Sequence, residues 1–167
     1  GRTRRYAPQW KESPEATFAD FPADGGDIAA GGNLLTFNDW LQDLDAAKHQ
    51  AADEKKNVLI VFSGSDWCGF CKRMAAEVFL QPAFLEQTQK DFVLVYLDHP
   101  KGPEAMGRVQ DMQRNMRTSE SFGIHSFPTV LVVDSTGAQL GMIRGYIPGG
   151  VGSFVSQLES YRTAGSN

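Results

Sequence analysis

The sequence predicts an α/β fold in which a central β-sheet is covered by helices on both faces. Three apolar runs, at 58–62, 92–97 and 129–133, carry this prediction. None of them alternates polar with apolar residues, which is typical of strands that are buried on both sides. Helical patterns separate and follow these runs in the order α-β-α-β-α-β-β-α. A three-layer sandwich is the simplest packing for that order.

The first 33 residues differ in composition from the rest of the chain. They contain five glycines and three prolines and keep no periodicity for long, which is typical of a linker. We therefore expect an N-terminal arm or linker at 1–33, a folded domain at 34–163 and a short tail at 164–167. Aromatic residues are frequent in the arm, and we expect some of them to pack on the domain: Tyr6, Trp10, Phe18 and Phe21.

Charge and hydropathy argue against two classes of protein. The 167 residues carry 16 Lys and Arg against 20 Asp and Glu, a net charge of −4, with the two signs interspersed. No basic stripe suggests a nucleic-acid partner, and no run of about 18 apolar residues predicts a membrane span.

The chain begins at Gly1, and residues 1–30 hold no apolar signal-peptide core. We therefore expect that a leader has been removed.

The first helix is predicted to begin after Thr36. Thr36 is a suitable N-cap, and Asp39 three residues later completes a capping-box pattern. The helix is expected to end near Asp53, before the first strand. Its predicted apolar face consists of Phe37, Trp40, Leu41, Leu44, Ala47 and Ala51.

The later elements follow from similar patterns. A helix after the first strand is expected to end near Leu80, before Pro82, and a short helix at 82–89 follows. The stretch 104–122 is predicted as one helix ending at Gly123, and its apolar face is expected to hold Ala105, Val109, Met112 and Met116. Residues 139–144 alternate and predict an antiparallel edge strand. A last helix at about 149–162 is expected to bury Val151, Phe154, Val155, Leu158 and Tyr161.

The methionines near the middle of the chain admit two readings. Met106, Met112 and Met116 contain the soft sulfur that some metals prefer. Methionines at helical spacing are more often filler in an apolar core. We therefore expect core packing rather than a metal site.

The only two cysteines of the chain stand between a predicted strand and a predicted helix. Apolar residues follow Cys71 at helical spacing, namely Met74, Ala75, Val78 and Phe79, so Cys71 is predicted on the buried face of that helix. Cys68 then lies at its first turn, where unpaired N–H groups and the helix dipole favour negative charge. Because the thiolate is the attacking species, Cys68 is the candidate nucleophile and Cys71 its less accessible partner.

Two other readings of the cysteine pair stay open. A zinc site needs four ligands, yet the chain has no third cysteine, and His49, His99 and His125 are scattered without ligand spacing. The cysteines can also be inert core residues. A redox pair is the expected reading of C-x-x-C beside a strand–helix pattern.

Two segments together resemble a known family. Trp67-Cys68-Gly69-Phe70-Cys71-Lys72, followed later by Phe127-Pro128-Thr129 at the start of a strand, is similar to the thioredoxin superfamily. The residues at 62–68 are most similar to those of exported bacterial members, relatives of the DsbD C-terminal domain and of DsbH-like periplasmic reductases. The resemblance covers roughly 34–163. It implies a thioredoxin fold: a three-layer sandwich with a central mixed β-sheet, here with an N-terminal extension.

The resemblance also implies a set of site residues. The catalytic residues are Cys68, Cys71 and Pro128, with a cis peptide bond before Pro128 next to the cysteine pair. The predicted substrate-binding residues are Trp67, Phe70, Phe127 and Thr129. His125, three residues before Pro128, is either a residue that tunes this site or a surface histidine without a role.

The sequence departs from the family pattern in three places. Thioredoxins carry a buried aspartate on the strand before the cysteines, which assists proton removal from the second cysteine. Phe62 or Val61 stands there in this chain, so the proton acceptor is predicted to be water, Asp66, Glu77 or the substrate. The segment 99–118 is longer than its counterpart, which suggests a distinct partner surface. Phe70 replaces proline and resembles the aromatic residue of periplasmic isomerases.

These observations predict a thiol–disulfide oxidoreductase that reduces protein disulfides outside the cytoplasm, most simply in a periplasm. The dithiol carries the electrons, so no cofactor and no metal are expected, and a donor thiol protein must restore the reduced pair. Two alternatives stay open: a disulfide isomerase, and a peptide-binding module of the same fold without turnover, for which exposed apolar side chains are suited.

Overall fold

The computed structural model describes residues 34–165, with side chains up to Tyr161. Within this part of the chain, four strands form one mixed sheet in the order β2-β1-β3-β4. The strands are β1 (Asn57–Ser63), β2 (Phe92–Asp98), β3 (Thr129–Val133) and β4 (Gln139–Arg144). β1 pairs with β2 in parallel, whereas β3 pairs antiparallel with both β1 and β4. The predicted mixed sheet and its antiparallel edge strand are confirmed.

Helices cover the sheet. They are α1 (Leu44–Glu54), α2 (Gly69–Met74), α3 (Pro82–Thr88), α4 (Pro103–Met106), α5 (Met112–Ser121) and α6 (Gly150–Gly165). A π-helical segment, Ala75–Phe79, continues α2. Together with it, α2 ends just before Leu80, where the sequence predicts the end of the cysteine helix.

The two faces of the sheet have separate cores. Leu59 and Val61 of β1 face the side covered by α2, α3 and α6, and pack in one cluster with Phe154. Their neighbours Val58, Ile60 and Phe62 face the other side, where Ala47 and Ala51 of α1 cover them. Side chains alternate between the faces along a strand, and both faces are apolar here. The predicted three-layer sandwich is confirmed.

The single helix predicted from Thr36 to Asp53 is wrong. Thr36 caps only a short 3-10 helix, Phe37–Asp39, through its hydroxyl. Leu41 then runs parallel to the edge of β2: its N–H donates to Leu94 O at 3.0 Å, and its carbonyl accepts from Tyr96 N at 2.8 Å. Asp43 caps the next helix, α1. The apolar spacing is real, but the free edge of β2 and a second cap divide the segment.

The single helix predicted at 104–122 is also wrong. It divides into α4 and α5, and Asp111 caps the second part by accepting the N–H of Arg114 at 3.0 Å. The buried positions of α5 are polar, Asn115 and Ser119. Met116 is instead 48% exposed, and Met106 of α4 is 43% exposed. The prediction that these methionines fill the core is therefore wrong for both.

Within residues 34–165, none of the helices is both long and apolar enough to cross a membrane. The arm and its aromatic residues, including Tyr6 and Trp10, lie outside the described residues, so their packing on the domain stays a prediction.

Candidate active site

The turn between β1 and α2 places Cys68 at the N-cap of α2. Its backbone is extended (φ −103°, ψ 109°), and its sulfur accepts the N–H of Cys71, with 3.2 Å between N and Sγ. The first N–H groups of a helix have no partner within the helix. The sulfur of Cys68 therefore takes up one of the helix N–H groups that would otherwise lack a partner.

Cys71 lies one turn further along, on the buried face of α2. The side chain is only 3% exposed, and its sulfur accepts the N–H of Gly64 with 3.4 Å between the atoms. Burial, and then the neighbouring Cys68 thiol, raise the pKa of Cys71 well above the ordinary range of a thiol. Cys71 therefore keeps its proton until a nearby group removes it. Both cysteines are free thiols here.

The loop before β3 meets the cysteines from the opposite side. The Phe127–Pro128 peptide bond is cis, and the carbonyl oxygen of Phe127 lies 3.6 Å from the sulfur of Cys68. Gly145 N–H donates to Pro128 O at 2.8 Å and so fixes the loop to β4. The side chain of Thr129 is buried beneath this loop, and its hydroxyl donates to Ser126 O at 2.7 Å.

Aromatic side chains from the cysteine segment and from the loops near it form two contacting pairs; we call Trp67, Phe70, Phe127 and Tyr146 the aromatic rim. Trp67 and Phe70 are 41% and 56% exposed. Trp67 contacts Phe127 edge to face at 5.7 Å, and Phe70 stacks on Tyr146 at 5.6 Å. The indole N–H of Trp67 donates to His99 O at 2.7 Å. The sequence predicts three of these rim residues, whereas Tyr146 and the role of His99 have no local signal.

Tyr146 is supported by an ion pair between α2 and the π-helical segment that continues it. The guanidinium of Arg73 contacts Glu77 at 2.9 Å and lies 4.4 Å from the centre of the Tyr146 ring. The Tyr146 hydroxyl donates to the second oxygen of Glu77. Glu77 is thus committed to the support of the aromatic rim, which leaves it poorly suited to the predicted role of proton acceptor for Cys71.

A cavity of about 380 Å³ lies beside the start of α2, bounded on the far side by α4. Cys71, Ser63, Tyr96 and Asp98 all line it. Asp98 is only 7% exposed; it accepts the Ser65 N–H at 2.8 Å and also the Ser65 hydroxyl. Burial raises the pKa of the Asp98 carboxyl above its ordinary value, against the lowering effect of those hydrogen bonds.

Sequence reasoning overlooked Asp98. The available signal was its place directly after the apolar run of β2, since the carboxyl ends of parallel neighbours meet at the same edge of a sheet. β2 is the parallel neighbour of β1, the strand that leads to the cysteines. The pairing of β1 with β2 was the missing information.

Asp66, the other predicted proton acceptor, has a different setting. Its carboxylate accepts the N–H groups of Lys101 at 3.0 Å and Gly102 at 2.7 Å. Partial burial would raise the pKa of Asp66, but these hydrogen bonds lower it overall. Asp66 therefore anchors the segment after β2 and is a weak base. His125 is exposed in the loop before Phe127, and its two readings, a residue that tunes the site and a surface histidine without a role, both stay open.

The alternative reading as a zinc site finds no support in the geometry. Across the part of the chain that the structure describes, no three His, Cys, Asp or Glu side chains are grouped so that they could hold a metal ion. The site brings together the Cys68 thiol at a helix N-cap, the buried Cys71 thiol, the Phe127 carbonyl and the aromatic rim. That arrangement suits exchange of a thiol with a disulfide.

Fold and site together define a thioredoxin-like protein, and comparison with known proteins agrees. The family model described as a thioredoxin-like domain matches residues 44–152. The chain therefore belongs to this family. It is 27% identical over 124 residues to the disulfide bond reductase DsbH of Chlamydia pneumoniae, covering 72% of this chain and 70% of DsbH.

Solved structures give the same result. A structure titled DsbH oxidoreductase aligns with a TM-score of 0.63 at 25% identity, over 74% of this chain and 83% of that one. The oxidised C-terminal domain of DsbD from Neisseria meningitidis aligns with a TM-score of 0.52 at 20% identity, over 73% of this chain and 98% of that domain, and shows the shared fold. The predicted thioredoxin superfamily and the broad class of thiol–disulfide oxidoreductase are confirmed.

Proposed function

We propose that this protein reduces disulfide bonds in other proteins, with Cys68 as the attacking thiol and Cys71 as the resolving thiol. The observation that carries the proposal is the unequal setting of the two sulfurs. Cys68 caps α2 beside the Phe127 carbonyl, whereas Cys71 is buried and its pKa is raised by that burial. Unequal thiols of this kind are suited to sequential roles, because only the thiolate attacks.

The reaction proceeds in two exchanges. The Cys68 thiolate attacks one sulfur of the substrate disulfide, forms a mixed disulfide and releases the first substrate thiolate. Cys71 then loses its proton and attacks the sulfur of Cys68, which releases the second substrate thiolate. The substrate gains two electrons, and the Cys68–Cys71 pair is oxidised to a disulfide. This scheme uses no cofactor, and a donor thiol protein must return the two electrons.

Three features support a polypeptide as the substrate. The aromatic rim exposes Trp67 and Phe70 beside the attacking sulfur, and exposed apolar patches of this kind bind protein partners. The backbone carbonyl of Phe127 lies beside the same sulfur, two residues before the start of β3. DsbH, to which the chain is similar, is named a disulfide bond reductase. We place the reaction outside the cytoplasm, in a periplasm, in line with the resemblance to exported members of the family.

Reduction of insulin by dithiothreitol tests the proposal. The wild-type protein is expected to accelerate precipitation of the reduced insulin chains, and Cys68→Ser is expected to abolish the acceleration. Ser160→Ala is the control, since Ser160 is exposed on α6 and its hydroxyl donates to Gln157 O within the same helix. A wild-type protein that leaves the insulin rate unchanged would favour the peptide-binding module instead.

The isomerase alternative differs in redox potential. Thioredoxin has a potential of about −270 mV and protein disulfide isomerase about −180 mV. Equilibration of the Cys68–Cys71 pair with a glutathione series measures the value for this protein. A potential on the thioredoxin side of the glutathione couple supports the reductase. A potential near that of protein disulfide isomerase would assign shuffling of disulfides as the main activity.

A further inference from the structure

We propose that Asp98 is the group that takes the proton from Cys71 during the second exchange, through the hydroxyl groups that line the cavity between them. The inference rests on the proposed function and adds to it the acceptor that the sequence leaves undetermined. Asp98 acts through other side chains, so it is a positioning and proton-holding residue and not one that contacts the substrate.

The strand register brings the participants to one face of the sheet. Ser63 and Asp98 are paired at the ends of β1 and β2, and Val61 is paired with Tyr96. Paired residues of parallel strands point to the same side, and positions two apart share a face. Ser63, Tyr96 and Asp98 therefore lie together on the side that α2 covers, where they line the same cavity as the Cys71 thiol.

Hydroxyl groups line the cavity that the thiol and the carboxylate share. Ser63, Ser65 and Tyr96 are all in the wall of the cavity that Cys71 and Asp98 also line. Ser65 donates its hydroxyl to Asp98. A hydroxyl both accepts and donates, so each can take a proton on one side and release its own on the other.

The other nearby acids are less suited to this role. Asp66 already accepts two backbone N–H groups, and Glu77 is paired with Arg73 and Tyr146. Asp98 is the acid that is both buried and in the wall of the Cys71 cavity. The titratable or charged side chains that line the same cavity are Cys71, Tyr96, Asp66, Lys72, Glu104 and Arg108.

The S–H bond of Cys71 breaks, the proton passes along the hydroxyls, and the Asp98 carboxylate becomes a carboxylic acid. The electron pair left on Cys71 forms the bond to Cys68, and the substrate sulfur leaves with the electrons of the mixed disulfide. Asp98 later loses its proton to solvent through the cavity. Burial makes this carboxylate a stronger base than an exposed one, which favours the transfer.

A chromogenic aromatic disulfide separates the two exchanges in stopped flow. Attack by Cys68 releases one coloured thiolate, and attack by Cys71 releases a second, so wild type is expected to show two phases. Asp98→Asn is expected to slow the second phase by about a hundredfold near neutral pH, the lower part of the range for general acid–base catalysis. The first phase is expected to change less than about twofold.

The pH profile distinguishes proton transfer from a structural effect. In Asp98→Asn the second phase is expected to rise steadily with pH, because hydroxide must replace the carboxylate, and to approach wild type in alkali. Asp98→Glu is expected to restore part of the rate near neutral pH. Asp45→Asn, at an exposed position of α1, is the matched control and is expected to match wild type in both phases.

Each result decides the matter. A second phase unaffected by Asp98→Asn, or one slowed equally at every pH, would overturn the inference while the proposed function stands. A wild-type protein with no second phase would overturn the proposed function itself. Should Asp98→Asn fail to fold, Ser63→Ala replaces it: a slower second phase supports the relay, and an unchanged one contradicts it.

Discussion

The backbone N–H of Cys71 donates a hydrogen bond to the sulfur of Cys68, at 3.2 Å. The residue that is expected to resolve the mixed disulfide thus also holds the attacking sulfur through its own backbone before the reaction begins. Its own sulfur accepts the Gly64 N–H and is buried beside the cavity that Asp98 also lines. Within one turn of helix, Cys68 thus caps the helix with its sulfur, whereas the sulfur of Cys71 is buried.

The first prediction concerns the reactivity of the two thiols. Limited treatment of the reduced protein with iodoacetamide near neutral pH is expected to label Cys68 at least about tenfold faster than Cys71, because thiolate character and access control alkylation. Peptide mapping by mass spectrometry measures the ratio. In urea the two sites are expected to react alike, which serves as the control. Faster labelling of Cys71 in the folded protein would reverse the assigned roles.

The second prediction concerns Gly64, which lies against Trp67. A Cβ at Gly64 would meet the indole, with Nε1 at only 2.6 Å, whereas a Cβ at Gly69 would meet nothing within 4 Å. Gly64→Ala is expected to displace the indole and its hydrogen bond to His99 O. Small displacements at a reacting site can cost about a hundredfold in rate, and we expect a loss of at least about tenfold in insulin reduction.

Gly69→Ala is the matched control for that variant, and its rate is expected to stay within about twofold of wild type. Circular dichroism shows whether both variants keep the fold. Equal rates for the two variants would mean that the position of Trp67 has no bearing on turnover.

The third prediction separates stability from docking. Phe62 is fully buried in the sheet, and Phe70 is 56% exposed. Phe62→Ala is expected to lower the free energy of unfolding by about 3–5 kcal/mol, since it leaves a cavity in the core. Phe70→Ala is expected to change it by less than about 0.5 kcal/mol. Urea unfolding of the oxidised proteins measures both values.

Phe70→Ala is expected to slow reduction of insulin and to leave reduction of a small aromatic disulfide unchanged, because only the polypeptide needs the aromatic rim. The ratio of the two rates is the relevant measurement. A proportional loss for both substrates would show that Phe70 acts on the cysteine chemistry and not on docking.

The fourth prediction concerns pH and Asp98, measured on oxidised protein so that no thiol titrates. The pKa of Asp98 is raised in the folded state. Below about 3.9, the value for an unfolded chain, both states hold the proton. As the pH rises from there through the raised folded pKa, Asp98 ionises more readily in the unfolded chain than in the folded protein. Its contribution to the free energy of unfolding is therefore lost over this interval. Wild type is therefore expected to lose stability relative to Asp98→Asn over this interval.

Urea unfolding of wild type and Asp98→Asn across a pH series measures this difference. The hydrogen bonds from Ser65 set a constant offset between the two proteins, so the slope with pH is the informative quantity. A stability difference that does not vary with pH would show that the Asp98 carboxyl is not perturbed by burial.

The sequence was sufficient for the parts of the fold that depend on local pattern. Unbroken apolar runs identify the strands, and the helical spacing after Cys71 places that thiol on a buried face. The resemblance of Phe127-Pro128-Thr129 to a known motif predicts that this loop lies beside the cysteines. In the structure the Phe127 carbonyl does lie beside the sulfur of Cys68.

The remaining features depend on contacts between distant residues. Leu41 leaves its predicted helix because the edge of β2 offers backbone partners. The segment around Asn115 buries polar groups because the Asp98 carbonyl accepts the Asn115 side chain at 2.9 Å. Asp98 itself gains its position from the pairing of β2 with β1. No local pattern encodes these three pairings.

Capture of substrate by a resolving-site variant tests the central claim most directly. In Cys71→Ser, attack by Cys68 remains possible, but no neighbouring thiol can release the substrate. Expressed outside the cytoplasm and analysed without reductant, this variant is expected to form discrete mixed disulfides with proteins through Cys68. They are expected to disappear on reduction and to be absent from Cys68→Ser, Cys71→Ser. Bands that persist in the double variant, or adducts with glutathione alone, would contradict a protein disulfide reductase.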